Sequence, residues 1–236
     1  MIDSIDYPIE KLVHVANGVD ESIVLAHNRI RQLYPDNNVI YVPGDGAPRE
    51  INLGYAGGNN WILRNYMKDW VLLVGSDVQF RPGQLARISE HYEKNKNASP
   101  PVGMVNTNFG WNVQGITKHA IEVMGYLDEN FYPLYYEDCD YNHRHTIAQR
   151  KKWLSYPESG EVTIDAIHDT SSTNHNLPQE KRERMNNSFG RNVDYYIRKW
   201  GGAQCHELWE HPFNNPELSI RDWTLEPGRW DMNKLQ

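Results

Sequence analysis

The 236-residue chain reads as an α/β domain, a mixed sheet flanked by helices, and three observations predict it. Apolar runs of strand length alternate with longer segments of helical period, beginning with a strand-helix-strand unit near the N-terminus. Clusters of Gly, Pro and Asn punctuate the joints between them. Carboxylates and asparagines collect where predicted strands end, the place where open α/β sheets bind their ligands.

Taken in order, Lys11 to Ala16 reads as a buried strand, Glu21 to Tyr34 as a helix stopped by Pro35, and Asn38 to Val42 as a second strand. Ile51 to Asn60 is a Gly- and Asn-rich loop, Trp61 to Lys68 is short and amphipathic, and Trp70 to Val74 is a third strand. Pro82-Gly83 opens a helix from Gln84 to about Lys94, and the polar stretch Asn95 to Pro101 is a loop. Val102 to Thr107 reads as a strand, Ile116 to Met124 and Asp138 to Lys152 as helices, and Val162 to His168 completes the sheet. A polar loop then leads to a charged helix from Pro178 to Trp200. The organisation expected is one domain over residues 1–202, with 203–236 an extension packed on it. That tail could wrap the domain, cover an acceptor side or make an oligomer contact.

Composition excludes several classes. A mean hydropathy of -0.74, with no apolar window near membrane-span length, leaves no transmembrane segment to predict. Asp3, Asp6 and Glu10 stand where a secretory leader would be basic and then apolar, so a cytoplasmic location is expected. A net charge of -7 with scattered Lys and Arg argues against a nucleic-acid partner. Two cysteines, Cys139 and Cys205, make neither a disulfide framework nor a zinc pattern and are read as reduced.

Two stretches carry candidate chemistry. In Asn52-Leu53-Gly54-Tyr55-Ala56-Gly57-Gly58-Asn59-Asn60, small residues would let backbone lie against a bulky flat ligand while the asparagines offer donors and acceptors. The strand after it ends in Val74-Gly75-Ser76-Asp77, which brings a carboxylate to solvent. Downstream, the aromatic run Phe131 to Tyr136 precedes Glu137-Asp138-Cys139-Asp140. Trp111 is a candidate platform for a sugar, or a core tryptophan. Each of these has a plainer reading as turn, helix cap or charged first turn.

Together these motifs resemble the family 2 glycosyltransferases of the GT-A fold. The resemblance runs from Val13-His14-Val15-Ala16-Asn17-Gly18 through Asn52-Leu53-Gly54, the Asp77 strand end, Gly125-Tyr126-Leu127-Asp128-Glu129-Asn130-Phe131 and Glu137-Asp138. It continues to His168 with Ser171-Ser172-Thr173 and to Tyr196-Ile197-Arg198-Lys199-Trp200-Gly201. It implies a metal-dependent, inverting transfer of sugar from a nucleoside-diphosphate sugar, UDP by default, to a hydroxyl of a glycan or other acceptor. Asp138 is then the base, assisted by Glu137, and Asp77 with His168 holds Mn²⁺ or Mg²⁺, the imidazole favouring manganese. Asn17, Asn52, Gly54, Asn60 and Ser76 fall to the nucleotide sugar, Trp111 to sugar or acceptor, and Asp140 with Arg144 to loop support or phosphate.

The chain departs from the family in three places. Only eleven residues precede the strand at Leu12, where the family usually has a strand and a helix, which leaves an abbreviated chain, a start within a longer protein or a replacement by another segment as the alternatives. Ala16 stands where the family often has an acidic residue near the nucleotide base. Gly75 stands where the family's paired aspartates have their first member. A non-catalytic nucleotide-sugar or glycan-binding module is the alternative these departures leave open. A sugar-phosphate nucleotidyltransferase would need a Gly-rich loop with Arg and Lys near the N-terminus, and none is present.

Overall fold

A computed structural model describes residues 1–16, 21–41, 52–158, 160–168 and 179–227. The elements in order are β1 (Leu12–Val15), α1 (Glu21–Leu33), β2 (Asn38–Tyr41), α2 (Gly54–Tyr66), β3 (Trp70–Val74), β4 (Val78–Phe80) and α3 (Gln84–Asn95). After them come β5 (Met104–Val105), β6 (Val113–Thr117), α4 (Lys118–Met124), α5 (Glu137–Arg150), β7 (Ala166–His168) and α6 (Gln179–Trp200). The class is α/β. The single mixed sheet expected from the sequence is divided, among the described residues, into a parallel pair β1-β2 and two antiparallel sheets, β3-β6-β5 and β4-β7.

The three-stranded sheet is the structural centre because both of its faces are covered. Successive side chains on a strand point to opposite faces. In β3, Val71 and Leu73 join a core with α2, α4, α5 and α6, whereas Trp70, Leu72 and Val74 join a second core built on Leu85, Ile88 and Tyr92 of α3. Met104 and Val105 of β5 divide between the same two cores. A strand buried on both sides loses the alternation that sequence reading depends on.

That is why β6 was not visible as a strand. All five of its residues are buried, yet Val113-Gln114-Gly115-Ile116-Thr117 carries an amide and a glycine in mid-strand. The structure accommodates both. The Gln114 amide donates to the Val105 carbonyl at 3.1 Å and to Asn106 Oδ1 at 2.8 Å, and a Cβ at Gly115 would stand 2.7 Å from the Val105 Cβ. The helix expected from Ile116 starts instead at Lys118, where Thr117 Oγ1 accepts from the Ala120 amide. The strand expected over Val102 to Thr107 shortens to β5, with isolated bridges from Val102 to Ser155 and from Thr107 to Val162. The Gly- and Asn-rich loop is also corrected: it is the first half of α2, which begins at Gly54.

Among the described residues no strand precedes β1. The N-terminal segment packs elsewhere, with Ser4 Oγ accepting from the Phe80 amide and Asp6 Oδ2 from the Gly83 amide. At the other end, the expected extension is continuous with the domain. The Leu208 and Trp209 amides donate to the Trp200 carbonyl, the Glu226 amide donates to Asn130 Oδ1, and Tyr196 donates to Glu207. No helix among the described residues is long and apolar enough to cross a membrane.

Helices α5 and α6 are held together by buried ions. Lys199 Nζ lies 2.8 Å from Asp128 Oδ2 and 2.7 Å from Asp140 Oδ1, and Arg144 lies 2.6 Å from Asp140 Oδ2, with all four side chains fully removed from solvent. Tyr195 and Asn130 also donate to Asp128, and the Trp200 indole donates to Asp140. Burial alone would raise the Asp140 pKa, but Arg144 and Lys199 outweigh it and hold the carboxyl below its ordinary range. Removing one partner of such a network strands a charge in apolar surroundings, so Lys199→Met is expected to cost about 3–5 kcal/mol in urea unfolding. A double variant, Lys199→Met with Asp128→Asn, should lose less than the sum of the two single changes.

Candidate functional site

The first candidate region is the start of α2. Asn52 Oδ1 accepts from the Gly54 amide at 2.8 Å, which satisfies one of the donors a helix start leaves open. Gly54 has φ +68°, and a Cβ there would meet the Pro133 carbonyl at 2.6 Å and the Tyr132 ring at 2.9 Å. The close approach expected for a ligand is therefore made by the chain's own 132–133 segment. Asn60 is corrected outright. It is fully buried, its amide donates to the Leu127 carbonyl and Glu129 Oε1, and its Oδ1 accepts from the Leu127 amide, so it has no capacity to meet a nucleotide. Asn17 lies outside the described residues.

The second region is the end of β3, where the Gly75 amide donates to the Asn112 carbonyl at 2.8 Å. A Cβ on Gly75 would stand 2.8 Å from Asp77 Oδ1 and 3.7 Å from Asn112 Oδ1. The Asp77 carboxylate thus folds back over Gly75, beside Asn112, into space that a side chain at 75 would fill. Ser76 is exposed at the same turn. Beside Asn112, the half-buried Trp111 donates its indole N–H to Asn142 Oδ1, and its carbonyl accepts from the Tyr55 hydroxyl at 2.8 Å. The Tyr55 phenol is buried and its pKa raised, first by burial and then by the charges of Glu137 and Asp138. One run of neighbours therefore links Asp77, Asn112, Trp111 and Tyr55 to the Glu137-Asp138 pair.

The third region is the start of α5. Asp138 is half-buried, with Oδ1 accepting from the Cys139 amide. Glu137 is buried, and among the described residues its Oε2 meets no hydrogen-bond partner. Burial first, and then Asp138, push its pKa up to about 8. At neutral pH Glu137 therefore keeps its proton. The preceding Tyr135 and Tyr136 have φ of 79° and 76°. Left-handed backbone at a bulky residue costs roughly 1–3 kcal/mol, so two in succession need outside support. Asn192 of α6 supplies it by donating from one amide nitrogen to the Leu134 and Tyr135 carbonyls.

Asp140 and Arg144 are corrected as phosphate contacts. Both are inaccessible, and Arg144 also donates to the Met124 and Tyr126 carbonyls at 2.6 and 2.8 Å. Loop support, the other half of that expectation, is what their contacts provide. Strand pairing places Val78 opposite His168, so Asp77, which precedes β4, stands one residue outside that pair and is not the register partner of His168. The His168 side chain and the Ser171 to Thr173 run lie outside the described residues. Among the described residues, no group of three or more His, Cys, Asp or Glu side chains is placed to hold a metal ion.

Sequence reading missed Tyr55, Asn112 and Asn142, which join the regions, and Asn192, which holds the loop. Tyr55 sat within the Gly-rich stretch and Asn112 beside Trp111, so a search for polar neighbours of named residues would have reached both. Asn192, inside a charged helix, gave no such signal. No family model, curated protein or solved structure matches the chain.

Glu137 makes stability depend on pH with a defined sign. Between its ordinary value of 4.5 and about 8 the native state holds a proton that the unfolded chain has lost, so stability falls as pH rises through that window. The slope is at most about 1.4 kcal/mol per pH unit. Glu137→Gln keeps the shape without the titration. Urea unfolding at pH 5 and pH 8.5 should show wild type losing stability relative to the variant, and parallel behaviour would contradict the buried, protonated assignment.

Proposed function

We propose that this chain is a GT-A type glycosyltransferase that moves a sugar, with inversion, from a nucleoside-diphosphate sugar to a hydroxyl of a glycan or other acceptor. UDP is the first choice of nucleotide. The observation that carries the reading is the hydrogen bond from the Tyr55 hydroxyl to the Trp111 carbonyl, which joins the residue beside Asn112 at the Asp77 strand end to a tyrosine in the field of Glu137-Asp138. One carboxylate stands at the end of a strand and a second, separate carboxylate at a helix start. Single displacement requires that separation, because the departing diphosphate and the incoming hydroxyl lie on opposite sides of the anomeric carbon.

Asp138 takes the acceptor proton as the new C–O bond forms and the bond to the diphosphate breaks. Glu137, buried and protonated at neutral pH, does not compete for that proton. Tyr55 fixes the Trp111 backbone by donating to its carbonyl. The residues that would hold a divalent cation, Mn²⁺ or Mg²⁺, are Asp77 and His168, which would offer it a hard-oxygen and an imidazole donor. Such an ion supplies positive charge against the leaving diphosphate.

The test is a panel of nucleoside-diphosphate sugars incubated with Mn²⁺ and scored for slow donor hydrolysis. One donor should be hydrolysed, Asp77→Asn should abolish its binding, and Asp138→Asn should bind it while losing roughly 10²–10⁴-fold in transfer. The product should carry the opposite anomeric configuration by NMR. Hydrolysis of no donor, with sugar binding intact, would favour the non-catalytic binding module.

A further inference from the structure

Beside the proposed base lies an aromatic surface that the donor site leaves unused. Helix α6 buries Ser188, Asn192, Tyr195, Tyr196 and Trp200 along its inward face. Phe189, at the edge of that face, is 46% exposed. Its ring stands edge-on to two others, 5.6 Å from Tyr135 and 5.5 Å from Tyr136. Both tyrosines are half-buried and both hold left-handed backbone, which glycine would adopt without strain. The chain thus places two aromatic side chains at costly positions immediately before Glu137-Asp138. Contacts from α6 keep them there: Asn192 holds the Leu134 and Tyr135 carbonyls, and Arg191 donates to the Tyr132 carbonyl at 3.3 Å.

The surface adjoins the base directly. Tyr136 is the residue before α5, and after burial its phenol pKa is raised by Cys139 and Asp138, so its hydroxyl sits in the field of that carboxylate. Trp111, by contrast, meets α5 at Asn142, one helical turn beyond Asp138. The two aromatic groups therefore approach the base from different positions along α5, and Trp111 is the one connected to the Asp77 strand end.

We propose that Phe189, Tyr135 and Tyr136 form the platform on which the acceptor lies, and that the acceptor is a neutral pyranoside. The proposal rests on the transferase reading and names its second substrate. Axial C–H groups give one face of a pyranose an apolar, weakly positive character that matches the negative face of an aromatic ring. The adjoining acid is Asp138, beside the protonated Glu137, and the described cation of this part of α6, Arg191, is turned to a backbone carbonyl. An anionic acceptor, such as a phosphorylated lipid or sugar phosphate, would be repelled there.

Saturation-transfer NMR on the full chain tests this without a donor, using methyl glucopyranoside, methyl galactopyranoside and methyl N-acetylglucosaminide as probes, with glucose 6-phosphate for comparison. Saturation should reach the C–H protons of one ring face of at least one methyl pyranoside. The signal should fall at least fivefold in Phe189→Ala and return in Phe189→Trp, which restores an aromatic face, while glucose 6-phosphate shows less. Circular dichroism of Phe189→Ala confirms that the fold is retained. No transfer to any pyranoside, an unchanged signal in Phe189→Ala, or preference for the phosphate would overturn the platform. If donor hydrolysis occurs but pyranoside contact does not, the platform alone fails. If pyranoside contact occurs without donor hydrolysis, the transferase reading alone fails.

Discussion

Asp128, Asp140, Arg144 and Lys199 share a volume that water does not enter, and most of the architecture around the candidate site follows from their pairing. Two acids and two bases balance, so the cluster carries no net charge, and each carboxylate meets at least one cation below 3 Å. A buried ionic network rarely adds stability over an apolar core of equal volume. What it does is penalise every arrangement in which a member loses its partner. Lys199 can meet both acids only if α6 lies against α5 and the 125–130 segment together. Asn130, donating to Asp128 and receiving the Glu226 amide, extends the same constraint to the tail.

The site inherits this rigidity. Asp140 is three residues beyond Glu137 on one helix, so fixing Asp140 fixes the first turn of α5. Asn192 sits two turns before Lys199 on α6, so the same docking brings its amide to the Leu134 and Tyr135 carbonyls and sustains two left-handed tyrosines. Helix starts favour negative charge, and Asp138 occupies that position half-buried while Glu137 is forced into the interior. Burial thereby raises the Glu137 pKa to about 8. Under the proposed reaction this keeps Glu137 from competing for the acceptor proton.

Much of the element order was legible in the sequence, and the failures have physical causes. Strand β3 and helices α1, α3 and α6 carry periodic patterns strong enough to place them within a few residues. Strand β6 failed because burial on both faces let it carry Gln114 and Gly115, whose partners are distant in sequence. The Gly- and Asn-rich stretch failed for the opposite reason: its small residues suit a ligand loop and a helix packed on a neighbouring chain segment equally well, and only Tyr132 and Pro133, some eighty positions away, decide between them. Asn60, Asp140 and Arg144 looked like binding residues because polar side chains near a motif usually are exposed. Here they satisfy one another or the backbone, a distinction visible only once their partners are located. The pairing of β4 with β7 left no local signal, because it joins Val78 to His168 across about ninety residues.

The strand end shows how one local departure reshapes the chemistry expected of the site. A Cβ at Gly75 would stand 2.8 Å from Asp77 Oδ1, so a carboxylate at 75 and this placement of Asp77 exclude one another. Two aspartates together would largely neutralise a divalent cation before any substrate arrived. A single aspartate with a neutral imidazole neutralises only half of its charge and contributes fewer oxygens than such ions prefer. Under the proposed reaction, cation affinity would then depend on the oxygens of the incoming diphosphate, and the two would bind as a pair. The positive charge left over would fall on the leaving group, where it opposes the negative charge that builds as the glycosidic bond breaks.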